Sequence, residues 1–328
     1  MARETILLTR QDIETQINVV EAIPAIEHAM GEFEKGEDYL PPKAIFEIPI
    51  GEAYAACITG YTKATDLLSM KVGQERTDNP KQGLPTTNSW IAAFTSQTGE
   101  LLMISDGTVP TMYRTAAAAA VSARHLAREN AKTLAVIGAG QLGRQCVRAV
   151  ASVRPFETIY LYDMNHDAAR QVAAELADQV AVPIEVTDAQ TACESADVVA
   201  TATNSREPIV NCEWIKQGTH MCCMGSDLHD KIECEMSLLP KCRIFSDFTE
   251  HALQRGEVSR AIQSGVLGDD CYAGTLGQVI NKSIEGRSDA GQITMYDGVG
   301  IGIQDTTIAR AIYDQALAKG IGTRIAFS

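Results

Sequence analysis

Apolar positions along the chain switch between two periods. Residues 17–33 place apolar side chains at helical spacing, whereas 43–50, 55–60, 68–73, 89–95 and 101–105 are short runs of the kind that form strands. Pro41, Pro42, Gly51, Gly73, Gly83, Pro85 and Gly99 punctuate these runs, so this part reads as an α+β domain. An alanine-rich helix is predicted over 113–128. Beyond residue 130 strands and helices alternate. Strands are predicted at 133–137, 158–162, 184–186, 198–201, 220–224 and 243–246, with helices at 142–153 and 168–179. That alternation is the pattern of a doubly wound parallel sheet. A last helix, 306–319, is expected to return to the first domain. The predicted class is therefore α/β, with 129–304 forming the parallel-sheet domain and 1–128 plus 305–328 the α+β domain.

Composition supports two domains and narrows the partners. A chain of 328 residues is long for one domain, and 45% apolar with 21% charged residues suits burial of two cores. The 28 Lys and Arg against 42 Asp and Glu give a net charge of −14, which argues against nucleic acid or an anionic membrane as partner. An anionic small molecule remains compatible, because a local cationic pocket can sit in an acidic shell. No apolar run approaches the ~20 residues of a membrane span, and the alanine-rich 116–121 soon meets Arg124. Residues 1–11 carry early charges and no long apolar region, so no secretory signal is expected. The nine cysteines are scattered without a CxxC pair, which points to reduced thiols in a cytoplasmic protein.

The most specific motif is Val136-Ile137-Gly138-Ala139-Gly140-Gln141-Leu142-Gly143. It places GxGxxG between a predicted strand and a predicted helix. Gly138 permits the tight turn, Gly140 lets a pyrophosphate approach the backbone, and Gly143 lets the helix pack on the strand. The helix N-terminus, with Gln141 and Leu142, offers N–H groups and a positive dipole end to the phosphates. Asp163 follows Gly143 by twenty residues, at the end of the next predicted strand, where it can accept both ribose hydroxyls. Met164 and Asn165 come next, with no adjacent Arg for a 2′-phosphate, so NAD(H) is expected rather than NADP(H). Together these features predict a Rossmann-type domain.

Other candidates lie outside this motif. Lys71 closes the apolar run 67–70, Thr86 ends the turn Gly83-Leu84-Pro85-Thr86, and Arg114 with Thr115 stands at the predicted start of the alanine helix. An Arg at a helix start opposes the dipole, so another partner must favour it there. Asp227 follows a strand and a Gly-Ser turn, at the carboxyl end where parallel sheets bind ligands. A cation cluster from the other domain would face it. His220, Cys222, Cys223, His229 and Cys234 supply soft metal ligands. However, 220–224 reads as a buried strand whose side chains point alternately to opposite faces, so no metal is expected.

The order of these motifs resembles the ornithine cyclodeaminase/mu-crystallin family over nearly the whole chain. The resemblance rests on Lys71, Asn79-Pro80, Gly83-Leu84-Pro85-Thr86, Arg114-Thr115-Ala116-Ala117, Gly138-Ala139-Gly140, Thr201-Ala202-Thr203-Asn204-Ser205, Gly225-Ser226-Asp227, Lys231 with Glu233, and 300–305. It implies that the α+β domain dimerises and binds substrate, and that the chain is a homodimer whose strands join in a shared barrel. It further implies that Arg114 and Lys71 hold a substrate carboxylate, that Thr86 lines the same pocket, and that Asp227 is the acid/base. Thr115 and Thr203 join the cofactor contacts. Departures from the cyclodeaminase pattern are Pro41-Pro42-Lys43 in place of Pro-x-Arg, Ile58-Thr59-Gly60-Tyr61 in place of a Met-Pro element, no proline after Asp227, and Tyr296-Asp297-Gly298-Val299-Gly300 in place of Phe-x-Ser-x-Gly. They look closer to the branch related to ectoine-utilisation cyclodeaminase homologues and iminosuccinate reductase. A dicarboxylate needs two cationic anchors, for which Lys43, Lys71, Arg114 and His229 are the candidates. The expected activity is NADH-dependent reduction of an imino acid, iminosuccinate to L-aspartate, with Lys71 and Asp227 catalytic. The alternatives are an ornithine cyclodeaminase, an alanine dehydrogenase, or a mu-crystallin-like binding protein.

Overall fold

A computed structural model describes residues 4–49, 53–76 and 78–326. The chain divides into two compact units, Met1–Arg114 with Ile301–Ser328, and Thr115–Gly300. The sequence pattern placed the boundaries at 128/129 and 304/305. The helix Thr108–Leu126 runs unbroken through the first division, so no change of texture marks it.

The first unit contains strands β1 (Glu4–Leu8), β2 (Ala44–Ile48), β3 (Ala53–Thr62), β4 (Leu67–Arg76), β5 (Thr87–Thr95) and β6 (Leu101–Asp106), and a terminal strand Thr323–Ala326. They form one sheet in the order terminal strand, β1, β6, β5, β4, β3, β2. All pairs are antiparallel except β1 with β6. The first and terminal strands were not expected. Ile50 and Gly51, at the end of the predicted strand 43–50, lie outside the described residues. Alternation along β4 buries Leu67, Ser69, Lys71 and Glu75 and exposes Leu68, Met70 and Val72. The helix Val19–Phe33 starts at Asn18, whose side chain accepts from the Val20 and Glu21 N–H groups, and buries Ala22, Ile23, Ile26 and Met30.

Helix Gly302–Lys319 is locked against β3 by two glycines. A Cβ on Gly302 would stand 2.0 Å from the Thr59 carbonyl oxygen, and one on Gly60 would stand 2.6 Å from the Gly302 carbonyl carbon. The Thr306 hydroxyl completes the contact, 2.7 Å from Ser69 Oγ and donating to the Gly60 carbonyl at 3.0 Å. This register sets the preceding residue, Asp305, over the buried face of β4.

The second unit contains β7 (Thr133–Ile137), β8 (Thr158–Tyr162), β9 (Ile184–Val186), β10 (Val198–Thr201), β11 (His220–Cys223), β12 (Cys242–Ser246), β13 (Tyr272–Thr275) and β14 (Ile293–Asp297). All are parallel, in the order β13-β12-β14-β11-β10-β7-β8-β9. The predicted doubly wound sheet is present. β13 and β14 were missed, and β14 is inserted between β11 and β12. The strands β10, β11 and β14 are buried along their whole length, as a sheet covered on both faces requires. His220 belongs to this core. Its ring lies 3.1 Å from Ser122 Oγ and 3.0 Å from Thr294 Oγ1, and burial holds it neutral, its pKa pushed down to about 3.

Candidate active site

In the second unit the strand order reverses between β7 and β10, which is where doubly wound sheets bind ligands. The loops beyond these two strands touch. Gly138 has φ +109°, and a Cβ there would stand 2.6 Å from the Ala202 carbonyl oxygen. A Cβ on Gly143 would collide with the Gly138 oxygen at 1.8 Å, so that glycine serves helix–strand packing. Gly140 differs, since a Cβ there would meet nothing within 4 Å. It caps the helix Gln141–Ala151 without any side-chain hydrogen bond. An open glycine at an uncapped helix start fits a pyrophosphate.

Asp163 follows β8 directly. One carboxylate oxygen accepts from the Ala139 N–H and the other from the Asn165 N–H, both at 2.8 Å. A carboxylate offers about four lone-pair sites, so acceptors remain for a ribose diol. Thr203 sits in the loop after β10, where its N–H and hydroxyl both donate to Glu233. Asp227 lies in the loop after β11 and pairs with Lys231 at 2.8 Å, a lysine whose side chain is only 4% exposed. The sequence had marked Lys231 only as part of a motif. Thr115 is buried in the long helix, just past Arg114.

The first unit gathers the predicted cations. Lys71 Nζ donates to Asp305 Oδ1 at 2.9 Å and lies 2.8 Å from Oδ2, the second contact being electrostatic rather than a directed hydrogen bond. Arg114 Nε donates to Oδ1 at 3.1 Å and Nη1 to Gln304 Oε1 at 3.2 Å. All three charged side chains are under 10% exposed. Two expectations change here. Lys71 sits within a strand that continues to Arg76. Arg114 lies inside a helix that begins at Thr108, so the dipole objection to it disappears.

Burial lowers the Lys71 pKa to about 8, against the pull of Asp305 and with Arg114 and Lys43 adding to the fall. Burial alone would raise Asp305, but Lys71 and Arg114 outweigh it and leave the carboxyl below its usual value. Lys43 acts on both groups, so it belongs to the same electrostatic neighbourhood. Thr86 is placed otherwise. Its carbonyl accepts from the Arg76 N–H at 2.8 Å, at the far end of β4 from the middle position of Lys71. Asp305 itself was marked only as the last residue of the motif 300–305, with no role assigned to it. A lone acid in a helix gives no sequence signal when its partners stand 234 and 191 residues away.

A parallel sheet with this reversal point and this glycine turn defines a dinucleotide-binding protein of the Rossmann class. The chain belongs to the ornithine cyclodeaminase/mu-crystallin family, whose pattern matches residues 3–320. It is 32% identical over 327 residues to the alanine dehydrogenase of Archaeoglobus fulgidus, covering 99% of both chains. It is 32% identical over 266 residues to the iminosuccinate reductase of Paracoccus denitrificans, covering 81% of this chain and 82% of the other. Among solved structures, an archaeal alanine dehydrogenase dimer with bound NAD superposes with a TM-score of 0.93 at 32% identity, over 99% of this chain and 100% of that one. Thermococcus litoralis Δ(1)-pyrroline-2-carboxylate reductase, in complex with NADH and L-proline, gives 0.94 at 30% identity, over 98% and 100%. No metal-binding group of His, Cys, Asp and Glu occurs among the described residues, and no helix there is long and apolar enough to cross a membrane.

Proposed function

We propose that the protein is an NADH-dependent imino acid reductase, and that its reaction is reduction of iminosuccinate to L-aspartate. The observation that carries this reading is the surplus of buried positive charge around Asp305. The buried Lys71 and Arg114 share the one Asp305 carboxylate, with the half-buried Lys43 in electrostatic reach, an arrangement that suits an anion from outside. Arg114 and Lys71 hold the α-carboxylate, the guanidinium offering its donors in a rigid fork. Lys43 takes the second carboxylate.

In the second unit Gly138, Gly140, Gln141, Leu142, Gly143, Asp163, Thr115 and Thr203 hold NAD(H). The nicotinamide, when bound, supplies the hydride that the imine carbon receives. Asp227 manages the proton. Its carboxylate, paired with the buried Lys231 side chain, hydrogen-bonds the substrate nitrogen and keeps it in its protonated, more electrophilic form. Full-length likeness to an alanine dehydrogenase supports a second reading, in which the substrate is the imine of pyruvate.

The first unit is the dimerising one in this reading. Phe46, Leu68, Met70, Val72 and Trp90 are 38–60% exposed, and Val72 pairs directly with Trp90 across β4 and β5. A second copy of the chain would cover such an apolar sheet face. The nine free thiols fit the cytoplasm.

The test is NADH oxidation with oxaloacetate, pyruvate or glyoxylate, each with ammonium at mildly alkaline pH. Preference for oxaloacetate, with aspartate as product, is expected. Preference for pyruvate transfers the assignment to the second reading. Proline formed from L-ornithine with NAD⁺ sinks the reductase, and silence in every arm favours a binding protein.

A further inference from the structure

Behind the strand-end loops of the second unit lies a chain of three buried carboxylates that the mechanism above does not use. Glu233, fully buried, receives four hydrogen bonds. Its Oε1 accepts from the Thr203 N–H at 2.7 Å and the Thr203 hydroxyl at 2.8 Å. Its Oε2 accepts from the Thr201 hydroxyl at 2.6 Å and the Gly225 N–H at 2.9 Å. One side chain thus fastens the loop after β10 to the loop after β11, which leads through Ser226 to Asp227. Gly225 permits this approach, because a Cβ there would stand 2.2 Å from the Thr203 carbonyl oxygen and 2.5 Å from Glu233 Oε1.

The pattern repeats behind it. The Glu257 carboxylate accepts the Glu233 N–H at 3.0 Å, the Cys234 N–H at 2.5 Å and the Ser226 hydroxyl at 2.6 Å. Asp297 accepts the Glu257 N–H at 3.0 Å and the Tyr272 hydroxyl at 2.6 Å. Each acid holds the backbone of the one in front. Burying carboxylates is a poor route to stability, since apolar groups of similar volume commonly serve as well or better. Here their hydrogen bonds tie backbone segments of separate loops together.

We propose that Glu233 is a positioning residue that sets the Thr203 loop and the Gly225–Asp227 loop in a fixed relation for the nicotinamide cofactor, with Glu257 and Asp297 as its support. The proposal rests on reading the second unit as the NAD(H)-binding one. Both Glu233 oxygens face only donors, so in Glu233→Gln the amide NH₂ opposes a donor in either orientation.

The experiment measures NADH binding by fluorescence, KM and kcat for NADH, and the thermal midpoint, for wild type and Glu233→Gln. A displaced loop is expected to raise both Kd and KM for NADH by about tenfold or more. A purely structural role would lower kcat through loss of active protein and leave Kd and KM where they were; that result overturns the proposal. Should Glu233→Gln fail to fold, Thr201→Val removes one buried donor to Glu233 Oε2, at a residue outside the cofactor contacts, and keeps the shape. A rise in Kd of about threefold is then expected for one lost hydrogen bond, and an unchanged Kd overturns the proposal. If the wild type itself binds no NADH, the reading of the unit falls and takes this inference with it. Wild-type binding with an indifferent variant removes this inference alone.

Discussion

In the first unit one carboxylate, Asp305, is ringed by Lys71 and Arg114, with Lys43 in electrostatic reach. In the second, Glu233, Glu257 and Asp297 are buried together, and the donors reaching them are backbone N–H groups and hydroxyls. The contrast lies in what each cluster still lacks. The anionic cluster is closed, every acid holding the segment ahead of it. In the cationic cluster the buried Lys71 and Arg114 share the Asp305 carboxylate, and burial, with Arg114 and Lys43 adding to it, lowers the Lys71 pKa to about 8. In the proposed function the anionic cluster is scaffold and the cationic one takes the carboxylate of the substrate.

The comparison is broken most directly by Asp305→Asn. It leaves Lys71 and Arg114 buried without their counter-ion, a change that costs about 3–5 kcal/mol. A lower thermal midpoint is expected, and succinate should restore more of it in the variant than in wild type. Equal rescue in both would mean that the cluster binds no anion. Arg114→Met comes next. Loss of a buried carboxylate anchor should lower kcat/KM for the imino acid on the order of a hundredfold, with NADH affinity within about twofold of wild type. A parallel loss of NADH affinity would show that the two clusters do not act separately.

A pH series sharpens the same contrast. Lys71 is charged below about 8 and neutral above it, so KM for an anionic substrate should climb as pH rises through that value. Lys71→Arg should remove the climb. The second cluster moves stability instead, and in a different window. Burial pushes Asp297 up to about 7 from an ordinary value near 4. Between those values the folded form holds a proton that the unfolded chain has released. Stability therefore falls as pH rises through the window, by at most about 1.4 kcal/mol per pH unit. Thermal midpoints of Asp297→Asn across that range should show a flatter slope.

Much of the second unit was legible, because its signals are local. A glycine turn between a strand and a helix, with an acid twenty residues on, needs no knowledge of distant contacts. The strands Ile293–Asp297 and Tyr272–Thr275 escaped notice because short runs among glycines and polar residues carry no period. The cluster around Asp305 was half visible. Lys71, Arg114 and Lys43 stood out as charges within motifs, whereas Asp305, which organises them, was only the end of the motif 300–305 and carried no sign of its partners. Glu233 and Asp297 also stood in motifs, but their cluster with Glu257 was invisible, since acids at 233, 257 and 297 meet only after the sheet has formed. Lys231 drew notice as part of a motif, and only the fold reveals that it is the buried partner of Asp227.

The insertion of β14 between β11 and β12 has a consequence for synthesis on the ribosome. The middle of the second sheet stays open until residue 297 has left the exit tunnel, and the first sheet still awaits Asp305 and its terminal strand. At 5–20 residues per second, the 115–300 segment keeps the first unit waiting roughly 10–40 s after its own early strands have emerged. The nascent chain spends that interval with the apolar side chains of β4 and β5 uncovered. For this architecture, the time before the first sheet can close is set by the length of the segment inserted into it.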